Sequence, residues 1–421
     1  MTPRVLFLLV DALGYDFLSP ETTPYLTSIA RQGSLLPMTP VLGYSDAQRA
    51  ALFTGCYPEK IGYWLDFRMA YNSSVLRPFS ALGFLDWLPG DLPRRALKFA
   101  LARTVVPLQA RRTGYRTLHL YNMPFRAMRH FQPSLPSTMF DPHPFGDVPT
   151  IFDLCRQKGV KFAAVQSDRF GLANMFRMPD QLTPFLSREI QRIDPDVSLL
   201  YVYLHSVDML GHRYGIRSPR FREVLARADR AVQRIVEEAR EKLGKDLELV
   251  IVSDHGLNHT ERFVSYGKLL RQPGFGRDYL VALDSTMVRL WYFQHGVRPG
   301  IRQAVEESGH GRFLGQEELR HLGVYFESRD YYDEVYLLRP GLSIFPNYHS
   351  YLKPMAMHAY HPDEPDQRAI ALFHGRRLAH LKAPEGSLHI TDIMPTISQV
   401  LGLDPSQATG SSLLPKGRRR T

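Results

Sequence analysis

Ser45 stands at the start of a stretch, Ser45-Asp46-Ala47-Gln48-Arg49-Ala50-Ala51-Leu52-Phe53-Thr54-Gly55, that reads as a short helix from about Asp46 to Gly55 after a break at Gly43. A hydroxyl at that place meets the free backbone N–H groups and the positive dipole end of the helix. Such a corner can hold a phosphoryl or sulfuryl group while the hydroxyl attacks it. Serine there is also an ordinary N-cap, so the chemistry depends on what else the chain supplies. It supplies metal-type ligands. Asp11 ends the apolar run Val5–Val10, and Asp208 and His212 follow the run Val197–Leu204 four residues apart. Asp254, His255 and Gly256 follow Leu247–Val252. A carboxylate and an imidazole four apart converge on one cation if the segment turns helically. Three apolar runs that each end in Asp or in Asp and His are a pattern that chance rarely produces.

The elements that must position these residues are those of an α/β protein. Continuous apolar runs such as Val5–Val10 predict strands buried on both faces of a parallel sheet. Ligands of such sheets bind beyond the carboxyl ends of the strands, where Asp11 would lie. Helices are expected over Thr23–Gly33 and from about Arg220 to Lys242. Strands are expected over Lys161–Val165 and residues 368 to 373, and a last helix opens near Ile390. The fold class expected is a three-layer α/β/α sandwich with a mostly parallel central sheet and inserted cap segments. The catalytic core would comprise residues 1–60, 151–260 and 351–415. Residues 61–150, rich in aromatic and basic side chains and broken by prolines, read as a cap insertion. Tyr63, Trp64, Phe67, Tyr71, Phe79, Phe84 and Trp87 crowd its first half. Residues 261–350 read as a small α+β insertion, and 416–421 as a basic tail.

The chain has 421 residues, 44% hydrophobic and 22% charged, which suits a globular protein with a sizeable core. Its net charge of +10 suits an anionic substrate or a membrane surface. No compact run of Lys and Arg interleaved with aromatics precedes Arg418-Arg419-Arg420, so no specific nucleic-acid binding is expected. A helix near Arg94–Arg103 pairs basic residues with Leu97, Phe99 and Leu101. It would lie on an anionic bilayer or pack as a cap helix on the core. Two cysteines, Cys56 and Cys155, cannot build a disulfide framework. With no signal-peptide or membrane-span pattern, the expectation is a cytoplasmic protein; oligomeric state is left open.

In order and context, Asp11, Ser45 ahead of Thr54-Gly55, Asp208-x-x-x-His212, Asp254-His255-Gly256 and His358-Ala359-Tyr360 resemble the alkaline phosphatase superfamily. The branch most similar is that of the type I phosphodiesterases and nucleotide pyrophosphatases, and the resemblance runs from residue 4 to about 415 outside the two insertions. It implies hydrolysis of a phosphodiester or pyrophosphate through a phosphorylated Ser45 at a site with two divalent ions, zinc or manganese. One ion would be held by Asp208, His212 and His358, the other by Asp11, Asp254 and His255 with Ser45. Gln48 and Arg49 are the candidate substrate-binding residues. The substrate would be a small-molecule phosphoester.

Two departures stand out. Many members carry Thr as nucleophile and Asn three residues later, where this chain has Ser45 and Gln48. The last motif is commonly His-Gly and here is His358-Ala359, with His361 as an alternative ligand. Three other readings are also open. The first is a phosphomonoesterase of the same superfamily. Second, Ser45-x-Ala47-x-Arg49 resembles the sulfatase signature, which implies a sulfatase or phosphonate-ester hydrolase with Ser45 converted to formylglycine. The third is a non-catalytic, metal-containing binding protein.

Overall fold

The computed structural model describes residues 3–70, 74–87, 96–98, 100–101, 104, 122–170, 176–350, 352–384 and 387–415. Val5–Val10 is buried along its whole length and lies between Leu199–Leu204 and Glu248–Val252, parallel to both. The remaining strands extend this centre to seven. Their order is Leu388–His389, Ser34–Thr39, Ala369–His374, Glu248–Val252, Val5–Val10, Leu199–Leu204 and Phe162–Gln166. Ala369–His374 runs antiparallel to both its neighbours, and the other pairings are parallel. The mostly parallel sheet is therefore as the apolar runs predict.

Because strand side chains alternate, the two faces of Val5–Val10 enter two different cores. Val5, Phe7 and Leu9 join Leu52, Phe53, Ile151, Phe152, Ile393 and Ile397. Leu6, Leu8 and Val10 join Leu182, Leu186, Val224, Ala228 and Ile235. Helices Ser45–Thr54, Ile151–Lys158 and Ile393–Leu401 thus cover one face. Pro24–Gln32, Pro179–Arg192 and Pro219–Leu243 cover the other. The three layers are those of an α/β/α sandwich. Pro219–Leu243 begins as its sequence suggests, with Ser218 accepting from the Phe221 amide and Pro219 at its first position.

The described parts of 61–150 and 261–350 share one further core. A four-stranded antiparallel sheet runs in the order Tyr279–Leu283, Met287–Tyr292, Glu334–Leu338, Gly311–Phe313. Phe67, Phe79, Phe125 and Phe131 from the earlier segment pack with its Leu280, Leu290 and Trp291. Tyr63, Trp64, Phe67 and Phe79 are all buried. The Trp64 indole donates to the Leu42 carbonyl at 2.6 Å. These four side chains are committed to the core, where their apolar area is removed from water. Tyr71 lies outside the described residues. So does half of the basic helix expected near Arg94–Arg103, including Arg94, Arg95 and Arg103; of its described part, Lys98 is buried with its ammonium 4.6 Å from the Phe125 ring centroid. The basic tail 416–421 is likewise outside the described residues. Among the described residues no helix is long and apolar enough to cross a membrane.

Candidate active site

The site forms where the central strands run out. After Val10 the chain turns at Ala12, whose φ of 59° lies in the left-handed region, and the Ala12 amide donates to Asp254 Oδ1 at 3.0 Å. One strand away, Ser253 ends the run Glu248–Val252 and delivers Asp254 and His255. Gly256 then passes so close to the 366–368 segment that a Cβ there would sit 2.2 Å from the Asp366 carbonyl oxygen. No side chain fits at that position. Leu199–Leu204 leads into helix Ser206–Tyr214, which places Asp208 and His212 one turn apart on one face. Ser45 is the first residue of its helix, with Tyr44 at the cap position.

These ends bring the expected ligands together. One set of ligand atoms, all within 4.8 Å of one another, comes from Asp208, His212 and His358; a second comes from Asp11, Asp208 and His255. Asp208 therefore belongs to both sets, which the expected three-and-three division did not foresee. Asp254 borders the second set, with Oδ2 3.4 Å from His255 Nε2. The His255 and His358 rings lie stacked, with centroids 3.7 Å apart and an interplanar angle of 10°. Ser45 Oγ sits 3.0 Å from His255 Nε2. His361 lies elsewhere, 3.3 Å from Glu318, so His358 is the histidine of this segment that reaches the cluster.

The electrostatics call for cations. Burial, reinforced by the Asp254 and Asp208 charges, pushes Asp11 well above the usual carboxylate range. Burial and the neighbouring Asp208 likewise raise Asp254, to about 7, against the hydrogen bond from the Ala12 amide. Burial also disfavours charge on Asp208 and His212, but their mutual attraction outweighs it. It holds Asp208 low and lifts His212 to about 9. His358 is pushed well down by burial and by His255. Asp11 Oδ1, Asp254 Oδ2 and His358 Nδ1 are buried with no hydrogen-bond partner among the described residues, and Asp208 Oδ1 has His212 Nε2 at 3.1 Å as its ion-pair partner. Orphan lone pairs on neighbouring ligand-type residues are costly unless something positive meets them. The outer partners agree: His255 Nδ1 is 2.9 Å from the Gly256 carbonyl and His212 Nδ1 is 2.6 Å from the Ala356 carbonyl. Each ring thereby donates from Nδ1 and turns the lone pair of Nε2 inward. The residues present fit divalent ions with mixed oxygen and nitrogen ligands.

Both expected substrate-binding residues have partners within the protein. The Gln48 amide is occupied by backbone: its Oε1 accepts from the Val41 amide at 2.9 Å, and its Nε2 donates to the Val41 and Gly43 carbonyls. It shapes the loop ahead of Ser45 and has no donor left for a phosphate oxygen. Arg49 pairs with Asp46, and its guanidinium lies 5.0 Å from the Tyr203 ring centroid. Its side chain lines a cavity of about 210 Å3 with Asp46, Gln166 and Asp168 instead of joining the ligand cluster. Sequence reasoning also passed over three neighbours of the site. Tyr203 donates a hydrogen bond to Asp11 Oδ2. The Tyr44 hydroxyl meets the Thr286 amide and hydroxyl, each at 3.1 Å, and Thr286 Oγ1 donates to the Ala359 carbonyl. His349 lies 2.8 Å from Asp284, with its ring centroid 6.3 Å from that of Tyr44. A lone charge inside an apolar strand, Arg289 in Met287–Tyr292, was the available signal that buried partners such as Asp284 exist.

The sequence model of type I phosphodiesterase/nucleotide pyrophosphatase matches residues 124–333. That span holds Asp208, His212, Asp254 and His255; Asp11, Ser45 and His358 lie outside it. Homo sapiens ectonucleotide pyrophosphatase/phosphodiesterase family member 7 is 26% identical over 267 residues, covering 62% of this chain and 49% of the relative. The chain thus spans about half the length of that curated relative. Human ectonucleotide pyrophosphatase/phosphodiesterase 5 superposes with a TM-score of 0.69 at 17% identity, over 97% of each chain. An inactive variant of the murine protein, solved in complex with AMP, gives 0.67 at 15% identity over the same shares. These solved structures share the fold. The matched span and the order of its motifs place the chain in the type I phosphodiesterase/nucleotide pyrophosphatase branch of the alkaline phosphatase superfamily.

Proposed function

We propose that the protein hydrolyses phosphodiester or pyrophosphate bonds of a small molecule, with Ser45 as nucleophile and two divalent ions as cofactors. The observation that carries this reading is Ser45 Oγ, at a helix start, 3.0 Å from His255 Nε2 within a cluster of buried, partnerless ligand atoms. Asp208, His212 and His358 would hold one ion; Asp11, Asp254 and His255 would hold the other, with Asp208 between them. Zinc suits this donor set, and manganese is compatible with it. Such ions, when bound, make a hydroxyl or a water more acidic and neutralise the charge that grows on the leaving oxygen.

The residues themselves do the rest. Ser45 Oγ forms a bond to phosphorus as the bond to the leaving oxygen breaks, leaving the phosphoryl group on the serine. Water then cleaves that ester and restores the hydroxyl. The helix that begins at Ser45 turns its first amides and positive dipole end toward the phosphoryl oxygens. Gln48 and Tyr44 fix the approach, through the 41–43 backbone and through Thr286 respectively.

A diester fits better than a monoester. A monoester dianion needs an extra cation beside the nucleophile, and the obvious one, Arg49, is engaged by Asp46 and Tyr203. With zinc or manganese supplied, bis-p-nitrophenyl phosphate or a nucleotide p-nitrophenyl ester should show higher kcat/KM than p-nitrophenyl phosphate. A tenfold advantage for the monoester, about 1.4 kcal/mol of transition-state binding, contradicts the diesterase reading.

A further inference from the structure

We infer that Tyr203 is a positioning residue whose phenol holds Asp11 so that one carboxylate oxygen is committed to a hydrogen bond and the other to a divalent ion. The inference rests on the two-ion reading above and extends it to a residue outside the ligand set.

Val10 and Leu204 are register partners in parallel strands, so Tyr203 comes up one residue before the strand end that faces Asp11. Its hydroxyl donates to Asp11 Oδ2, whereas Asp11 Oδ1 is buried without a partner and lies 3.5 Å from His255 Nε2. A free carboxylate can rotate and offer either oxygen or both. With Oδ2 fixed by an O–H donor, only Oδ1 is presented to the ligand cluster. Arg49 completes the support: its guanidinium lies 5.0 Å from the Tyr203 ring centroid and is itself anchored by Asp46. The ring is thus clamped between the Ser45 helix and the sheet, so the nucleophile and Asp11 share one support. This gives Arg49 work that does not involve substrate.

The same strand supplies an internal control. Tyr201 lies two residues back, on the same face of the sheet, and is equally buried in the same core. Its hydroxyl has no hydrogen-bond partner among the described residues. Removing either hydroxyl changes the core by one oxygen atom, but only Tyr203 touches a ligand.

The test compares the full chain with its Tyr203→Phe and Tyr201→Phe variants, each stripped of metal and titrated with zinc or cobalt(II) against a chromogenic chelator. The wild type should bind two ions. Tyr203→Phe should hold one of them 10–100-fold more weakly, the range typical for loss of an outer partner of a metal ligand. It should also alter the visible absorption spectrum of the cobalt-loaded protein. Tyr201→Phe should match the wild type in both, and the apo forms of both variants should melt near the wild-type apo temperature. Equal affinity and an unchanged cobalt spectrum in Tyr203→Phe overturn the inference while leaving the two-ion reading intact. Equal weakening by Tyr201→Phe also overturns it, because the effect would then belong to the core. A wild type that binds no ion fails the two-ion reading itself and the inference with it.

Discussion

A methyl group at position 359 shows how closely the site constrains single residues. Ala359 follows His358 with φ at 65°, in the left-handed region, and is buried. Side chains beyond glycine pay roughly 1–2 kcal/mol for that conformation. The glycine common at this position in the family is thus the unstrained choice, and alanine is held there by its surroundings, among them the Thr286 hydroxyl on its carbonyl. Ala359→Gly should raise the unfolding free energy by about 1 kcal/mol, read from a denaturant midpoint with unchanged slope. A fall of that size would mean the buried methyl contributes more by packing than it costs by strain. Asp11, Asp254 and His255 were legible in the sequence because each comes within three residues of the end of an apolar strand, and Asp208 and His212 because they stand four apart just past another. Gln48 and Arg49 were not, because their side chains find partners that are distant or hidden in the chain: the Val41 amide and the Tyr203 ring.

The helix Ser45–Thr54 explains that blindness at the scale of an element. Every residue from Ala47 to Thr54 is buried. A helix buried all round has no polar face from which to infer where Arg49 points. Two strands of the antiparallel sheet, Tyr279–Leu283 and Met287–Tyr292, lie in apolar runs legible as strands, whereas the link of that sheet to the site was not legible. Arg289, fully buried, donates to both Asp284 oxygens and to the Phe67 and Tyr331 carbonyls, and His349 joins Asp284 to Asp66. Burial works against a charged His349, but its bonds to Asp284 and Asp66 outweigh that and push its pKa up to about 9. A group raised in the folded state stabilises fully below its unfolded pKa of about 6.5, and that contribution is lost as pH rises through about 9. Unfolding free energy should therefore decline between about pH 6.5 and 9, by at most about 3 kcal/mol from this group. The decline should flatten in His349→Gln; an identical slope in that variant would remove His349 as its source.

At the scale of the whole molecule, the sheet places the site. Parallel strands with opposite-facing side chains need helices on both sides, so the layered architecture follows from runs such as Val5–Val10. That part of the fold was readable because period and apolarity are local. The shared core of 61–150 and 261–350 was not, since contacts such as Phe131 with Trp291 join segments far apart in the chain. Three carboxylates buried together also make the apo protein less stable than its loaded form. Chelation should lower the melting temperature, and each ion bound at a hundredfold excess over its Kd is worth about 2.7 kcal/mol. Asp254→Asn should lose at least one ion and show a correspondingly smaller shift. A melting temperature indifferent to chelator and to added zinc or manganese would show that the cluster holds no ion.

The central claim is that Ser45 carries the phosphoryl group. Metal-loaded protein is mixed with a nucleotide p-nitrophenyl ester, quenched in acid during turnover, digested and examined by mass spectrometry. The expected result is a nucleotidyl adduct on the peptide containing Ser45, absent from a folded but inactive Ser45→Ala variant. Formylglycine at position 45, or full turnover by Ser45→Ala, would contradict it.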